Sequence, residues 1–447
     1  MAELMKKTMQ LLYDAKKYRT LKDILSTLNE ADIAALFTEL PNDTLPVLFR
    51  LLPKNLAADT FVLMESEDQE LLIHGFSDNE LKAVVDELYV DDAADLIDEM
   101  PANVVTRILQ NTDPEKRQMI NEILKYPEDS AGSLMTTEYI SLRPDMTIQE
   151  AIKRIRRTIT EKETVYTCYV TDDSRYLLGY LSVKTLLISD EDAIIKNIME
   201  TTPICVNTMD DKEDVAKMMT KYDFVSMPVV DDEIRLVGIV TFDDAIDVIQ
   251  EETTEDLEIM AAMSPTEDSY FKTSDIKHAR NRILWLLILM LGAALTGAII
   301  SRYENAFGAM PILVSFIPML MGTGGNCGAQ SSTMIIRGMS IDEIKLKDFF
   351  KVLWTEFRIS LILSSVLALV NGVRIWIANN DPMLAVVVSL SIIGTIIVAE
   401  VIGCMLPMLA KKCRLDPAIM ASPLITTIVD AVSILIYFNI ASVFFKL

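Results

Sequence analysis

The chain has 447 residues, with 65 acidic side chains against 41 basic ones, a net charge of −24, and just over half of it apolar. That length holds several domains. The acidic excess weighs against a nucleic-acid partner, because phosphate binding requires basic patches. The charge is also unevenly placed: residues 1–270 carry 55 acidic and 26 basic side chains, net −29, whereas 271–447 carry a net +5. An acidic soluble half therefore precedes an apolar, slightly basic half, and a cation suits the first half as a partner. Cys168, Cys205, Cys327, Cys404 and Cys413 show no close metal-ligand pairing, which fits a reducing cytoplasm. The opening Met-Ala-Glu-Leu-Met-Lys-Lys has no apolar core of signal-peptide length, so the N-terminus is expected to stay in the cytoplasm.

Residues 1–129 read as short amphipathic helices. Apolar residues recur at three- and four-residue spacing, as in Ile33, Leu36 and Leu40 or Leu81, Val84 and Leu88. Leu40-Pro-Asn-Asp, Leu52-Pro-Lys-Asn and Met100-Pro-Ala-Asn interrupt them, so an irregular helical repeat wound into a small superhelix is expected.

From Gly132 the pattern changes. A helical stretch, Ile148 to Ile159, precedes a β-rich run from Thr164 to Val170 and a strand at Leu178-Gly-Tyr-Leu-Ser. The order then repeats with Ile198-Met-Glu-Thr-Thr-Pro, a helix from Lys212 to Lys221, Met227-Pro-Val-Val-Asp and Leu236-Val-Gly-Ile-Val-Thr-Phe-Asp-Asp. This arrangement resembles a tandem pair of CBS domains, at 130–195 and 196–250. In such pairs a strand-end Gly-h-h-[Ser/Thr]-x-x-Asp meets the ribose of an adenine nucleotide. Gly238 to Asp244 keeps that pattern, whereas Gly179-Tyr-Leu-Ser-Val-Lys-Thr185 ends in Thr185. The resemblance makes Phe224, Pro228 and Thr241 candidate nucleotide contacts in one cleft; a purely structural pair remains the alternative.

Residues 242–270 read largely as one long acidic helix, part of a connecting segment at 243–275. Five apolar segments follow within 276–447, at roughly 283–301, 309–336, 352–377, 384–410 and 418–445, each long enough to cross a bilayer. Arg280, Arg282, Arg337, Lys345, Lys347, Lys351, Lys411, Lys412 and Arg414 fall on one side, against Arg302, Arg374 and Lys446 on the other. The positive-inside rule then places the N-terminus in the cytoplasm and the C-terminus outside a cytoplasmic (inner) membrane.

The second segment carries Pro318, Gly322, Gly324, Gly325, Asn326, Gly328, Gln330, Ser331 and Thr333. A packing face of small residues is one explanation. A break in helical regularity lining a transport path, at Pro318, Gly322, Gly325, Asn326 and Gln330, is the other. Ionisable residues within spans are costly and so informative: Glu356 and Arg358 near one end of the third, Glu400 in the fourth, Asp430 in the middle of the fifth. Asp430 has no basic neighbour in its own segment and offers hard oxygen to a hard cation. Mg²⁺ keeps much of its water, so a ring of a few carboxylates suffices to select it. His74 and His278 both lie outside the spans, which disfavours a His-based transition-metal pore.

Pro318-x-Leu-x-Gly-Thr-Gly-Gly-Asn-x-Gly-x-Gln-Ser-x-Thr, with Asp416-Pro-Ala, Pro423-Leu-Ile-Thr-Thr and Asp430, resembles the membrane core of MgtE-family magnesium channels. The domain order resembles that family across the chain: acidic helical N domain, CBS pair, acidic connecting (plug) helix and five transmembrane helices. The resemblance implies a homodimeric Mg²⁺-selective channel with Asp430 at the filter, closed by cytosolic Mg²⁺. It carries the sensor role to Asp59, Asp91 and Asp95, to Gly132 through its carbonyl, to Asp223 and Asp244, and to Asp247, Glu252, Glu255 and Asp256. Two positions depart from the family. Ser422 stands where members can have Asn, and Lys184-Thr185 replaces an Arg-Asp pair that helps hold ATP in some members. A proton-coupled Mg²⁺/Co²⁺ carrier regulated by the CBS pair is the runner-up. Neither a nucleotide-type Gly loop nor a catalytic constellation is present, so no enzyme is expected.

Overall fold

The computed structural model describes residues 2–266, 270, 273–303, 308 and 310–446, with side chains described from residue 4 onward except at Glu161. It divides into two compact units, Met1–Ile249 and Gln250–Leu447.

The first unit begins with ten short helices between Ala2 and Ile123. Their ends are written in the sequence. Asn29 caps Glu30–Thr38 by accepting from Ala31 N at 3.0 Å. Ser77 and Glu80 form a capping box on Asp78–Val85. Several helices pack beside the one two places on, Glu30–Thr38 with Lys54–Val62 and Lys54–Val62 with Asp78–Val85, which winds the expected superhelix. The apolar stripes converge on one core around Ile33, Phe37, Phe61, Leu72 and Leu81. An arginine links turns: half-buried Arg107 donates to the carbonyls of Ile73 and Phe76 at 2.5 Å each and pairs with Asp78 at 3.0 Å.

Two three-stranded sheets of identical topology follow. In the first, β1 (Ile140–Leu142) runs parallel to β2 (Thr167–Thr171), which pairs antiparallel with β3 (Leu177–Ser182). In the second, β4 (Val206–Asn207), β5 (Ser226–Val230) and β6 (Leu236–Thr241) repeat that order. The helices Ile148–Thr158 and Lys212–Tyr222 lie where their periodicity predicts them. The two halves exchange their leading segments. Ala131 and Met135 are buried in the core built by β4–β6, and Ile195 in the core of β1–β3. Thr136 and Ile239 exchange both backbone hydrogen bonds, at 2.8 and 2.9 Å, as do Tyr180 and Glu200 at 3.0 and 2.9 Å. Tyr169, fully buried between the halves, holds Ser226 Oγ at 2.8 Å.

The acidic helix runs from Phe242 to Met260, shorter than the expected 242–270. Ala262 adopts a left-handed φ of 55° and Met263 N returns to Glu258 O at 3.0 Å, which closes the helix. Residues 267–269, which the expectation also covered, lie outside the described residues.

Five helical segments in the second unit are long and apolar enough to cross a membrane: Asp275–Arg302, Pro311–Ser340, Leu346–Asn379, Pro382–Lys412 and Pro417–Phe445. They are called the first to fifth spans below. The second, fourth and fifth form the buried centre, around Leu320, Ile392, Ile396, Ile425 and Tyr437. Tyr437 donates to Leu313 O at 2.9 Å and Ser332 to Met420 O at 2.9 Å, tying the fifth span and its lead-in to the second.

Candidate functional site

In the first unit, three carboxylates from three parts of the chain meet. Asp91 lies in the first turn of helix Val90–Glu99, Glu163 just before β2, and Asp244 in the first turn of the acidic helix. One carboxylate oxygen of each lies within 4.8 Å of the other two. Asp91 is 6 % exposed, and its Oδ1 and Glu163 Oε2 are buried with no hydrogen-bond partner. Asp244 is held by the Thr241 hydroxyl, which donates to Oδ2. Lys116, a half-buried cation, donates to the carbonyls of Val85, at 2.7 Å, and Leu88.

Two unit charges this close repel by about 3 kcal/mol at an effective dielectric of about 20. Three such pairs approach the net stability of a whole domain, about 5–15 kcal/mol. The cluster therefore holds either protons or a cation. Burial first, then Glu163, Asp92 and Asp244, push the Asp91 carboxyl well above its usual range. Burial likewise raises Glu163 to about 8, with Asp244 as its nearest electrostatic cause, and Asp244 to about 6 against the Thr241 hydrogen bond. Asp95, one turn along, is raised to about 7 by desolvation and then by Asp244. Orphaned buried oxygens that form no ion pair among the described residues suit a hard divalent cation that brings part of its own water.

Of the expected sensor residues, Asp91, Asp95 and Asp244 come together. Asp59 does not join them; after desolvation its electrostatic neighbours are Glu30 and Glu87. Gly132 is pinned to the second CBS half by donating to Thr208 O at 2.9 Å. Asp223 is an exposed left-handed cap with φ 55°. Asp247 is exposed on the acidic helix, one turn beyond Asp244. Glu252, Glu255 and Asp256 continue that helix in the second unit. Glu163 was not anticipated: Glu161-Lys-Glu-Thr164 reads as an ordinary solvated charge run, and only the fold brings it to Asp91.

At the possible nucleotide cleft, Pro228 is buried within β5 and Phe224 stacks on Tyr222 at 5.7 Å. The Thr241 hydroxyl is spent on Asp244, whose carboxylate is one of the three in the cluster with Asp91 and Glu163. The motif glycines have a packing reason. A Cβ on Gly238 would lie 2.7 Å from Thr136 O, and one on Gly179 would strike Glu200 O, so each lies against an exchanged segment.

In the membrane half, the glycine-rich stretch is one unbroken helix, Ile317–Ser340, so the expected irregularity in its backbone is absent. Gly324, Gly325 and Gly328 are buried against Val429, Thr426 and Ile425, which lets the second and fifth spans approach closely. Pro318, Gly322, Asn326 and Gln330 instead form an exposed stripe at four-residue spacing. Gly325, expected to line the path, packs on Thr426 rather than joining that stripe. On the fifth span Ser422, Thr426 and Asp430 share the same spacing, and Thr426 packs on Gly325, the residue before Asn326 of that stripe. Asp430 Oδ1 is buried with no hydrogen-bond partner, and Asp430 makes no ion pair among the described residues.

Family models match in the order the fold displays: the MgtE intracellular N domain over 28–129, CBS domains over 131–191 and 195–251, and an MgtE divalent cation transporter domain over 317–440. The magnesium transporter MgtE of Thermus thermophilus is 34 % identical over 428 residues, 95 % of this chain and 94 % of its own. This chain belongs to the MgtE family. The MgtE of Bacillus subtilis is 31 % identical over 442 residues, 99 % of this chain and 97 % of its own. A crystal structure of the cytosolic domain of the Mg²⁺ channel MgtE in complex with ATP matches 54 % of this chain and 99 % of that one, at 36 % identity and a TM-score of 0.52. The soluble part of a magnesium transporter matches 56 % and 99 %, at 28 % identity and a TM-score of 0.53. The transporter match contains both polar stripes, and the N-domain and CBS matches contain all three members of the carboxylate cluster.

Proposed function

We propose that this MgtE-family chain carries Mg²⁺ across the cytoplasmic membrane as a homodimeric channel, N-terminus in the cytoplasm and C-terminus outside, with its pore on the dimer axis. The observation that carries this reading is the pair of stripes, Pro318–Gly322–Asn326–Gln330 and Ser422–Thr426–Asp430. Exposed amides and an unpaired carboxylate are costly against lipid, and a second copy across a two-fold axis would enclose them. Two Asp430 carboxylates would then face a hydrated divalent ion, a suitable filter for a cation that sheds water reluctantly. Pro318, Gly322, Asn326 and Gln330 line the path; Gly325 sets the spacing between helices.

Cytosolic Mg²⁺ closes the channel by binding Asp91, Asp244 and Glu163, with Asp95 and Asp247 adding charge; Glu252, Glu255 and Asp256 are further proposed sensor residues along the acidic helix. Asp59, Gly132 and Asp223 belong to the same proposed sensor at other points. A cation biases closure only through its higher affinity for the closed arrangement. The names of the Thermus and Bacillus relatives support the choice of Mg²⁺. Adenine nucleotide is a regulatory ligand only if Phe224, Pro228 and Thr241 admit it alongside the cation.

The test is Mg²⁺ flux into proteoliposomes with pH clamped on both faces. Flux that requires Asp430, shown by its loss in Asp430→Ala, and that needs no proton gradient supports the channel. Full flux in Asp430→Ala removes that residue from the pore. The second reading, a proton-coupled divalent cation carrier, draws on the buried Glu356 and Glu400 carboxyls; flux abolished by collapsing a proton gradient would favour it.

A further inference from the structure

Glu356 in the third span and Glu400 in the fourth are 9 % and 2 % exposed, and their carboxyl groups lie within hydrogen-bonding range of each other. Ser331 of the second span, 4 % exposed, donates to Glu356 Oε2 at 2.8 Å and lies 3.3 Å from Glu400 O. These residues face away from the Asp430 stripe: Ser331 is on the buried side of the second span, one position past exposed Gln330. The helices are closely packed there. A Cβ on Gly403 would lie 2.5 Å from Gly328 O, so the second and fourth spans touch backbone to backbone one turn from the pair.

No lysine, arginine or histidine pairs with either carboxyl among the described residues. The other titratable groups that feel the pair are the Cys327 thiol of the second span and the Cys404 thiol of the fourth. Two carboxylates at this separation in an apolar interior repel strongly, and a hydrogen bond between carboxyl groups exists only when one of them is an acid. We propose that Glu400 keeps a proton and shares it with Glu356, a site that clasps the second, third and fourth spans and on which transport depends. The Glu400 O–H donates to the Glu356 carboxylate; loss of that proton to water leaves two carboxylates repelling each other within the three-helix junction. This goes beyond the channel reading, because the proton is held rather than carried.

The experiment is infrared spectroscopy of the full-length protein in lipid vesicles, titrated with pH in H2O and D2O, with Mg²⁺ influx recorded on the same vesicles. The wild type should show a deuterium-sensitive carboxylic-acid C=O band at neutral pH that disappears at alkaline pH. The double variant Glu356→Gln with Glu400→Gln, whose amides can still hydrogen-bond each other, should lose the pair's share of that band, read as the wild-type-minus-variant difference, while the raised carboxyls of the Asp91 cluster keep their own. Wild-type influx should fall by about tenfold per pH unit once the pair loses its proton, as one-proton titration requires, and the double variant should lack that fall. If the double variant fails to fold, Glu400→Gln alone should abolish that share or move its titration. A wild type without the band, or a band that persists unaltered through the substitutions, overturns the proposal. Because the band is read without transport, its outcome is separate from that of the channel reading.

Discussion

Asp91 Oδ1 and Glu163 Oε2 are buried in the same acidic cluster, one from the helical N domain and one from the first CBS half, and neither has a hydrogen-bond partner. Buried polar atoms are nearly always satisfied, so two orphaned carboxylate oxygens facing a third carboxylate mark a place for a positive charge. Each belongs to a different domain of the cytosolic unit, so the proposed cation would link two domains.

Glu163→Gln should therefore weaken the sensor without disturbing the fold. The amide keeps the shape and removes one negative ligand. A loss of about 1.4 kcal/mol is tenfold in affinity, and at least that is expected in the Mg²⁺ concentration that protects the cytosolic half from protease. Unchanged protection would take Glu163 out of the site.

Protons should compete with that cation. Desolvation raises Glu163 to about 8, Asp95 to about 7 and Asp244 to about 6. These are acids whose folded pKa lies above the unfolded one. Their contribution to cation-free stability is fully present below the ordinary carboxylate range and is lost as pH rises through 6 to 8. Mg²⁺ affinity runs the opposite way, increasing with pH over the same window. Calorimetry in buffers of different ionisation enthalpy should find protons released on binding at pH 7, and none released would contradict the cluster.

Glycines of the second and fourth spans should separate by position. Gly403→Ala places a Cβ 2.5 Å from Gly328 O, and overpacking of this kind costs about 1–3 kcal/mol. Gly322→Ala meets no atom within 4 Å, so thermal melting in detergent should be near wild type. Its effect should appear as reduced flux, since the methyl group projects from the exposed stripe.

Tyr437→Phe should destabilise the membrane unit by about 1 kcal/mol, the net worth of one hydrogen bond plus an unsatisfied carbonyl. Its hydroxyl is the donor to Leu313 O, and the loss would be measured by the same melting assay.

Much of this was legible in the sequence because it follows from local periodicity. Stripes such as Ile33–Leu36–Leu40 are buried as their spacing requires, and the five apolar runs became five helices within a few residues at most ends. The end of the acidic helix was misread because Glu and Asp continue past it, while Ser264-Pro265 is the local signal that disfavours further helix. The polar stripe of the second span was legible in composition but not in backbone, since its glycines serve close packing rather than a break. Glu163 and the Glu356–Glu400 contact were beyond reach, because both depend on which residues distant in sequence become neighbours.

The exchange of leading segments between the CBS halves bears on how the chain is made. Ala131 and Met135 find their core only when Val229 and Val240 exist. A ribosome that has released the first half has released an incomplete object, whose opening segment waits through about a hundred further residues, some 5–20 s of synthesis at 5–20 residues per second. Cutting the gene between the halves would leave each fragment with an empty slot shaped for a segment of the other. The two fragments expressed together should recover what neither attains alone.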